Sequence, residues 1–121
     1  MLNSLFLSNV VVAFVQSKYL FYIGETGNLT CDIENIPDWN DIFITRTDGF
    51  VFLSKNRSNT TDAVLNGTEL ATDTTFEETR ARVILLFDPV ECGTMQDVYT
   101  CAVRTNDTWY NTTADITLQS E

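Results

Sequence analysis

Two cysteines, each set in a stretch that alternates apolar and polar residues, constrain this chain more than any other feature. They occur in Leu29-Thr30-Cys31-Asp32-Ile33 and in Tyr99-Thr100-Cys101-Ala102-Val103. Successive side chains of a strand point to opposite faces, so Leu29, Cys31 and Ile33 share one face, and Tyr99, Cys101 and Val103 share a face of their own strand. Short apolar runs broken by Gly, Asn, Asp and Thr continue along the chain from Lys18, a pattern expected of a sandwich or barrel. They predict strands at 18–23, 28–34, 41–46, 50–54, 69–75, 80–87, 97–104 and 112–119. Thr47-Asp48-Gly49 makes a good hairpin turn, because glycine tolerates the positive φ such turns need. Val83, Leu85 and Phe87 share one face of the most apolar strand and Ile84 and Leu86 the other, which predicts cover on both sides. The last strand turns Ala114, Ile116 and Leu118 inward, and no segment reads as a helix.

A tyrosine two residues before the second cysteine, with the two cysteines 70 positions apart, resembles an immunoglobulin domain of variable or intermediate type. The resemblance covers nearly all of the chain after its N-terminal segment. It implies an all-β, immunoglobulin-like two-sheet Greek-key sandwich, in which one Cys31–Cys101 disulfide crosses between the sheets and Tyr99 closes a corner. Tyr99 and Leu85 would join the two cysteines in the core. Closing so long a loop stabilises the fold by ~4 kcal/mol in the chain-entropy picture. A Cys92–Cys101 pairing is open on counting alone, but it leaves Cys31 by itself in a core-facing position. The extra strand at 50–54 and the polar stretch that follows it favour a variable-type or intermediate arrangement over a constant-type one. One position departs from the family, which packs a tryptophan of its third strand against the disulfide. Trp39 stands eight residues after Cys31, beside Pro37 and Asp38, in what reads as the loop before that strand. Either Trp39 fills the slot, or Ile42, Phe43 or Ile44 replaces it; the better strand signal at Asp41 to Arg46 favours replacement.

The chain of 121 residues has room for one domain. Residues 1–17 read as a secretory signal peptide with cleavage after Ser17: Leu5 to Val15 is mostly apolar, too short for a membrane span, and ends in Val15-Gln16-Ser17. The other reading gives this stretch to the first strand. The immunoglobulin-like domain then runs over 18–121, and it holds the whole formal charge of −10, since residues 1–17 have no ionisable side chains. That charge argues against nucleic acid and anionic membrane surfaces as partners, because both require a basic footprint. No second apolar stretch approaches the ~20 residues of a membrane helix, so no membrane insertion is expected.

Six N-glycosylation sequons occur, at Asn28, Asn56, Asn59, Asn66, Asn106 and Asn111, none with proline at its middle position. One sequon means little; six beside a signal peptide point to a secreted glycoprotein. Asn28 alternates with Leu29 and so faces solvent. Asn106 and Asn111 flank Trp109 and Tyr110 in what resembles the loop between the last two strands, the recognition tip of variable-type domains. Asn106, Asp107, Trp109 and Tyr110 combine rigid aromatic anchors with adaptable polar groups and form the candidate ligand-binding loop. The plainer reading has Trp109 or Tyr110 starting the last strand and packing at its edge. Cys92 is the odd thiol: it bridges two copies into a disulfide-linked homodimer, or it stays a half-buried free thiol.

Catalysis finds little support. There is no histidine, the commonest general base, and the three cysteines lack zinc-site spacing. Glu77-Glu78 reads as a solvated pair, and an acidic set of Glu34, Asp38 and Asp41 reads as surface charge; no metal and no cofactor are expected. The sequence therefore reads as a secreted, extracellular binding or recognition module for a protein or glycan ligand, in adhesion or immune recognition, and not as an enzyme. The alternatives are the N-terminal ectodomain of a larger receptor or lectin, and a secreted decoy that modulates immunoglobulin-type interactions.

Overall fold

The computed structural model describes residues 9–58, 64–65, 69–70, 75–91 and 96–120. Asn59, Asn66 and Cys92 lie outside the described residues. Among the described residues, eleven strands follow one another: β1 (Val11–Phe14), β2 (Lys18–Tyr22), β3 (Gly27–Glu34), β4 (Asp41–Arg46), β5 (Val51–Asn56), β6 (Val64–Leu65), β7 (Glu69–Leu70), β8 (Thr75–Phe76), β9 (Ala81–Phe87), β10 (Asp97–Arg104) and β11 (Trp109–Gln119). There is no helix among the described residues.

The strands form two sheets. The first runs β1-β3-β9-β7, with β8 also paired to β9; the second runs β2-β11-β10-β4-β5-β6. All pairings are antiparallel except β2 with β11. The alternation legible in the sequence decides which residues meet between the sheets: Leu29, Cys31 and Ile33 from β3, Val83 and Leu85 from β9, Ile42 and Ile44 from β4, and Tyr99, Cys101 and Val103 from β10 are all fully buried. Cys31 and Cys101 are disulfide-bonded across the two sheets, with Cα atoms 6.5 Å apart. Tyr99 packs its ring against Phe52 (centroids 5.3 Å apart) and Phe87 (6.2 Å). On the outer side of β9, Ile84 is buried and Leu86 half-buried, as expected for a strand covered on both sides.

Several strand bounds differ from the sequence reading: β5 runs to Asn56 and not 54, and β6 is not among the expected strands. The last strand begins at Trp109 and not at 112, because the preceding turn closes early, on Thr105 and Thr108. The single strand expected at 69–75 is two short strands, β7 and β8, both against β9. Val11–Phe14, within segment 1–17, pairs with Cys31 to Glu34 at the edge of the first sheet and buries Phe14. The hairpin at Thr47-Asp48-Gly49 forms as expected: Gly49 has φ +92° and its N–H donates to the Arg46 carbonyl at 2.9 Å.

β4's positions beside the disulfide are aliphatic, since Ile44 stands in register with Cys101. Trp39 is nevertheless buried, from the β3–β4 connection. Its indole N–H donates to the Glu77 carbonyl at 3.1 Å, and the Arg57 guanidinium lies 4.1 Å from its ring centroid. Arg57 also donates to the carbonyls of Trp39 (2.7 Å) and Glu78 (2.6 Å), tying the end of one sheet to the loop before β9 of the other.

Candidate functional site

The candidate loop is shorter than a recognition tip need be. The Thr105 N–H donates to the Thr108 carbonyl at 2.8 Å, and the Thr108 N–H donates back to the Thr105 hydroxyl at 3.1 Å, so Asn106 and Asp107 alone form the exposed turn. The turn is braced from the side by Asn40, whose side-chain amide donates to Asn106 Oδ1 at 2.7 Å and whose backbone N–H donates to the Arg104 carbonyl at 2.7 Å. With so short a tip, the surface available for contact is the outer face of the sheet behind it.

Strand alternation divides the two aromatic loop residues. Trp109, Asn111 and Thr113 point out from β11, whereas Tyr110 points inward and packs against the core. Trp109 is 55% exposed. Cross-strand register places Trp109 opposite Arg104 and Asn111 opposite Ala102 on β10; Arg104 in turn stands opposite Asp41 and Ala102 opposite Phe43 on β4. The Phe43 and Trp109 rings stack across β10, with centroids 5.9 Å apart and an interplanar angle of 28°. They can meet because the residue between Phe43 and Asn111 is the small Ala102. Phe43 is thus not a core substitute for the missing strand tryptophan; it belongs to the outer face.

A polar row borders the aromatic pair. The nearly buried Asp41 carboxylate accepts from Arg104 Nε at 2.7 Å and from Arg104 Nη2, and its other oxygen accepts from Asn56 Nδ2 at 2.6 Å. This joins β10, β4 and β5 at the tip end of the sheet. Asp41 is therefore committed to an ion pair and an amide, and among the described residues no cluster of His, Cys, Asp or Glu is arranged to hold a metal ion. A concavity lies at the edge of the other sheet, between Asp32, Glu34, Thr75, Glu77, Arg80 and Arg82. Both of its arginines are engaged by its own carboxylates, Arg82 by Asp32 at 2.6 Å and Arg80 by Glu77 at 2.7 Å, which leaves the aromatic face the stronger candidate.

Four of the six sequon asparagines are described. Asn28 is exposed on β3 of the first sheet, Asn106 on the turn and Asn111 on the outer face, while Asn56 ends β5 beside Asp41. The sequence did not single out Phe43, Ala102, Arg104 or Asp41 for this face. Alternation alone puts Ala102 and Arg104 opposite the cysteine row, but only the β10–β4 register brings Phe43 to Trp109.

No family model matches the sequence, and no curated protein matches it. Solved structures do resemble it in shape. A chain from work on the structural basis of T cell specificity and activation by the bacterial superantigen toxic shock syndrome toxin-1 superposes with a TM-score of 0.65 at 12% identity, covering 92% of this chain and 100% of that one. A chain of chimeric titin Z1Z2, functionalized with a KLER exogenous peptide from decorin, superposes with a TM-score of 0.55 at 17% identity, covering 94% of this chain and 100% of that one. At such identities the likeness concerns the fold: an immunoglobulin-like two-sheet sandwich with one inter-sheet disulfide.

Proposed function

We propose that this chain is a variable- or intermediate-type member of the immunoglobulin superfamily that works outside the cell as a recognition module, by surface complementarity and without catalysis. The observation that carries this reading is the Phe43–Trp109 stack: an aromatic pair, Trp109 exposed and Phe43 half-buried, on the outer face of the sheet, bordered by the Arg104–Asp41–Asn56 row and the Asn106–Asp107 turn. Rigid aromatics surrounded by polar groups are the usual anchors of protein and glycan contacts. The structural neighbours, at 12% and 17% identity, support the sandwich on which this face is built.

The inter-sheet disulfide suits an oxidising compartment. Among the described residues, no helix is long and apolar enough to cross a membrane. Secretion after removal of residues 1–17 and glycosylation at the sequons belong to the same reading, as does Cys92 as a bridge to a second copy. Cleavage after Ser17 removes β1 and leaves the β3 edge open, so N-terminal sequencing of the secreted protein, with Lys18 as the expected first residue, tests the leader directly. The function is tested by displaying the protein multivalently over arrayed extracellular proteins and glycans. Saturable binding to a specific ligand is expected; turnover of a substrate without any such binding overturns the reading.

A further inference from the structure

We propose that the first sugar of an N-linked glycan on Asn111 lies against the Phe43–Trp109 stack, so that occupancy of this one sequon decides whether the aromatic face is open to a partner. The proposal rests on the reading of that face as the contact surface and adds its regulation. Trp109, Asn111 and Thr113 alternate along β11, so the aromatic ring, the acceptor amide and the sequon hydroxyl all lie on one face. Two residues of strand separate Trp109 from Asn111 by about 7 Å, close to the span of one pyranose ring with its linkage. Across the sheet, Asn111 stands in register with the small Ala102, and Ala102 with Phe43, so the amide and the stacked rings share one patch of the outer face. A pyranose has one face of C–H groups, and such a face packs on an exposed aromatic ring by burying apolar surface on both. Trp109, 55% exposed, has that surface to offer.

The other described sequons lack this arrangement. Asn28 lies on the other sheet, Asn106 sits on the turn with its Oδ1 held by Asn40, and Asn56 donates its amide to Asp41. Attachment at Asn111 uses a polyprenyl-diphosphate-linked oligosaccharide as donor. The Asn111 Nδ2–C1 bond forms, the C1–O bond to the diphosphate breaks with its electron pair leaving on the diphosphate, and one amide proton is released.

The protein contains two tryptophans. Trp39 is 2% exposed and Trp109 55%, so acrylamide quenching of fluorescence reports Trp109. Protein secreted from a eukaryotic cell is compared intact, trimmed enzymatically to a single N-acetylglucosamine at each site, and fully deglycosylated while folded. The quenchable fraction should be several-fold lower in the first two forms than in the third. Asn111→Gln should reproduce the deglycosylated value by itself, and Asn28→Gln and Asn106→Gln should not. Glycopeptide mass spectrometry that finds Asn111 unmodified overturns the proposal, as does an occupied Asn111 whose removal leaves quenching unchanged. Enzymatic deglycosylation of the folded protein supplies the answer if Asn111→Gln misfolds. No ligand enters the measurement, so its failure stays distinct from failure of the binding role; any ligand identified independently should bind Asn111→Gln more tightly than the occupied protein.

Discussion

At the scale of single residues, the buried tyrosine and one glycine hold the interior most narrowly. Tyr99 is fully buried, and burial pushes its phenol up to about 12 from an ordinary 10.0, with nearby Arg46 opposing the shift in part. The folded state thus resists ionising it. Its contribution to stability is complete below about pH 10 and is lost as pH rises toward about 12, because only the unfolded chain releases the proton readily in that window. Chemical denaturation followed from pH 9 to 12 should show a steep loss of stability that is shallower in Tyr99→Phe. Gly27 is fixed by close approach: a Cβ there would come within 2.8 Å of the Phe21 ring. Phe21 is itself buried, packed near Tyr19 and Phe87, so the ring has little freedom to retreat. Gly27→Ala should therefore cost about 1–3 kcal/mol, the usual range for overpacking, read as a lower urea midpoint.

Among the elements, β4, β10 and β11 carry both the core and the candidate face, and the two were unequally legible in the sequence. Period-2 alternation at Cys31 and Cys101 identified their strands and their inward rows, because burial of one sheet face forces that pattern. Register between strands distant in sequence leaves no local mark, so Phe43 read as a core candidate until its pairing with Ala102 turned it outward. Trp109 starts the last strand, as the plainer alternative had it, but that strand lies between β2 and β10 and not at the sheet edge, so its second residue, Tyr110, turns inward onto the core. Trp39 lay between two readings: it is buried like a core tryptophan, yet it arrives from a loop secured by Arg57. Asp41 links β4, β5 and β10 at the tip end. Asp41→Ala leaves the Asn56 amide and the Arg104 guanidinium without this acceptor, and should lower stability by about 1–3 kcal/mol while leaving the far end of the sheet intact. Amide exchange accelerated at Arg104 and Asn56, but not at Asp97, would be the accompanying signature.

At the scale of the molecule, the account rests on the cross-link between the sheets and on the aromatic outer face. The Cys31–Cys101 disulfide joins the centres of the two sheets across 70 residues of chain. Replacing both cysteines with alanine should cost about 2–5 kcal/mol, measured by thermal or denaturant unfolding, since the unfolded chain regains the freedom of a long loop. The face opposite this cross-link presents Trp109, and the recognition reading stands on it. The most direct test displays the enzymatically deglycosylated protein multivalently over arrayed extracellular proteins and glycans, beside Trp109→Ala and Leu20→Ser. Leu20 is the control, 50% exposed on β2, at the opposite edge of that sheet from β6. A saturable interaction that weakens at least about tenfold in Trp109→Ala, the loss of about 1.4 kcal/mol or more expected of an aromatic anchor, and persists in Leu20→Ser is the predicted result. Binding that is indifferent to Trp109, or that depends on Leu20 instead, would contradict the assignment of this face.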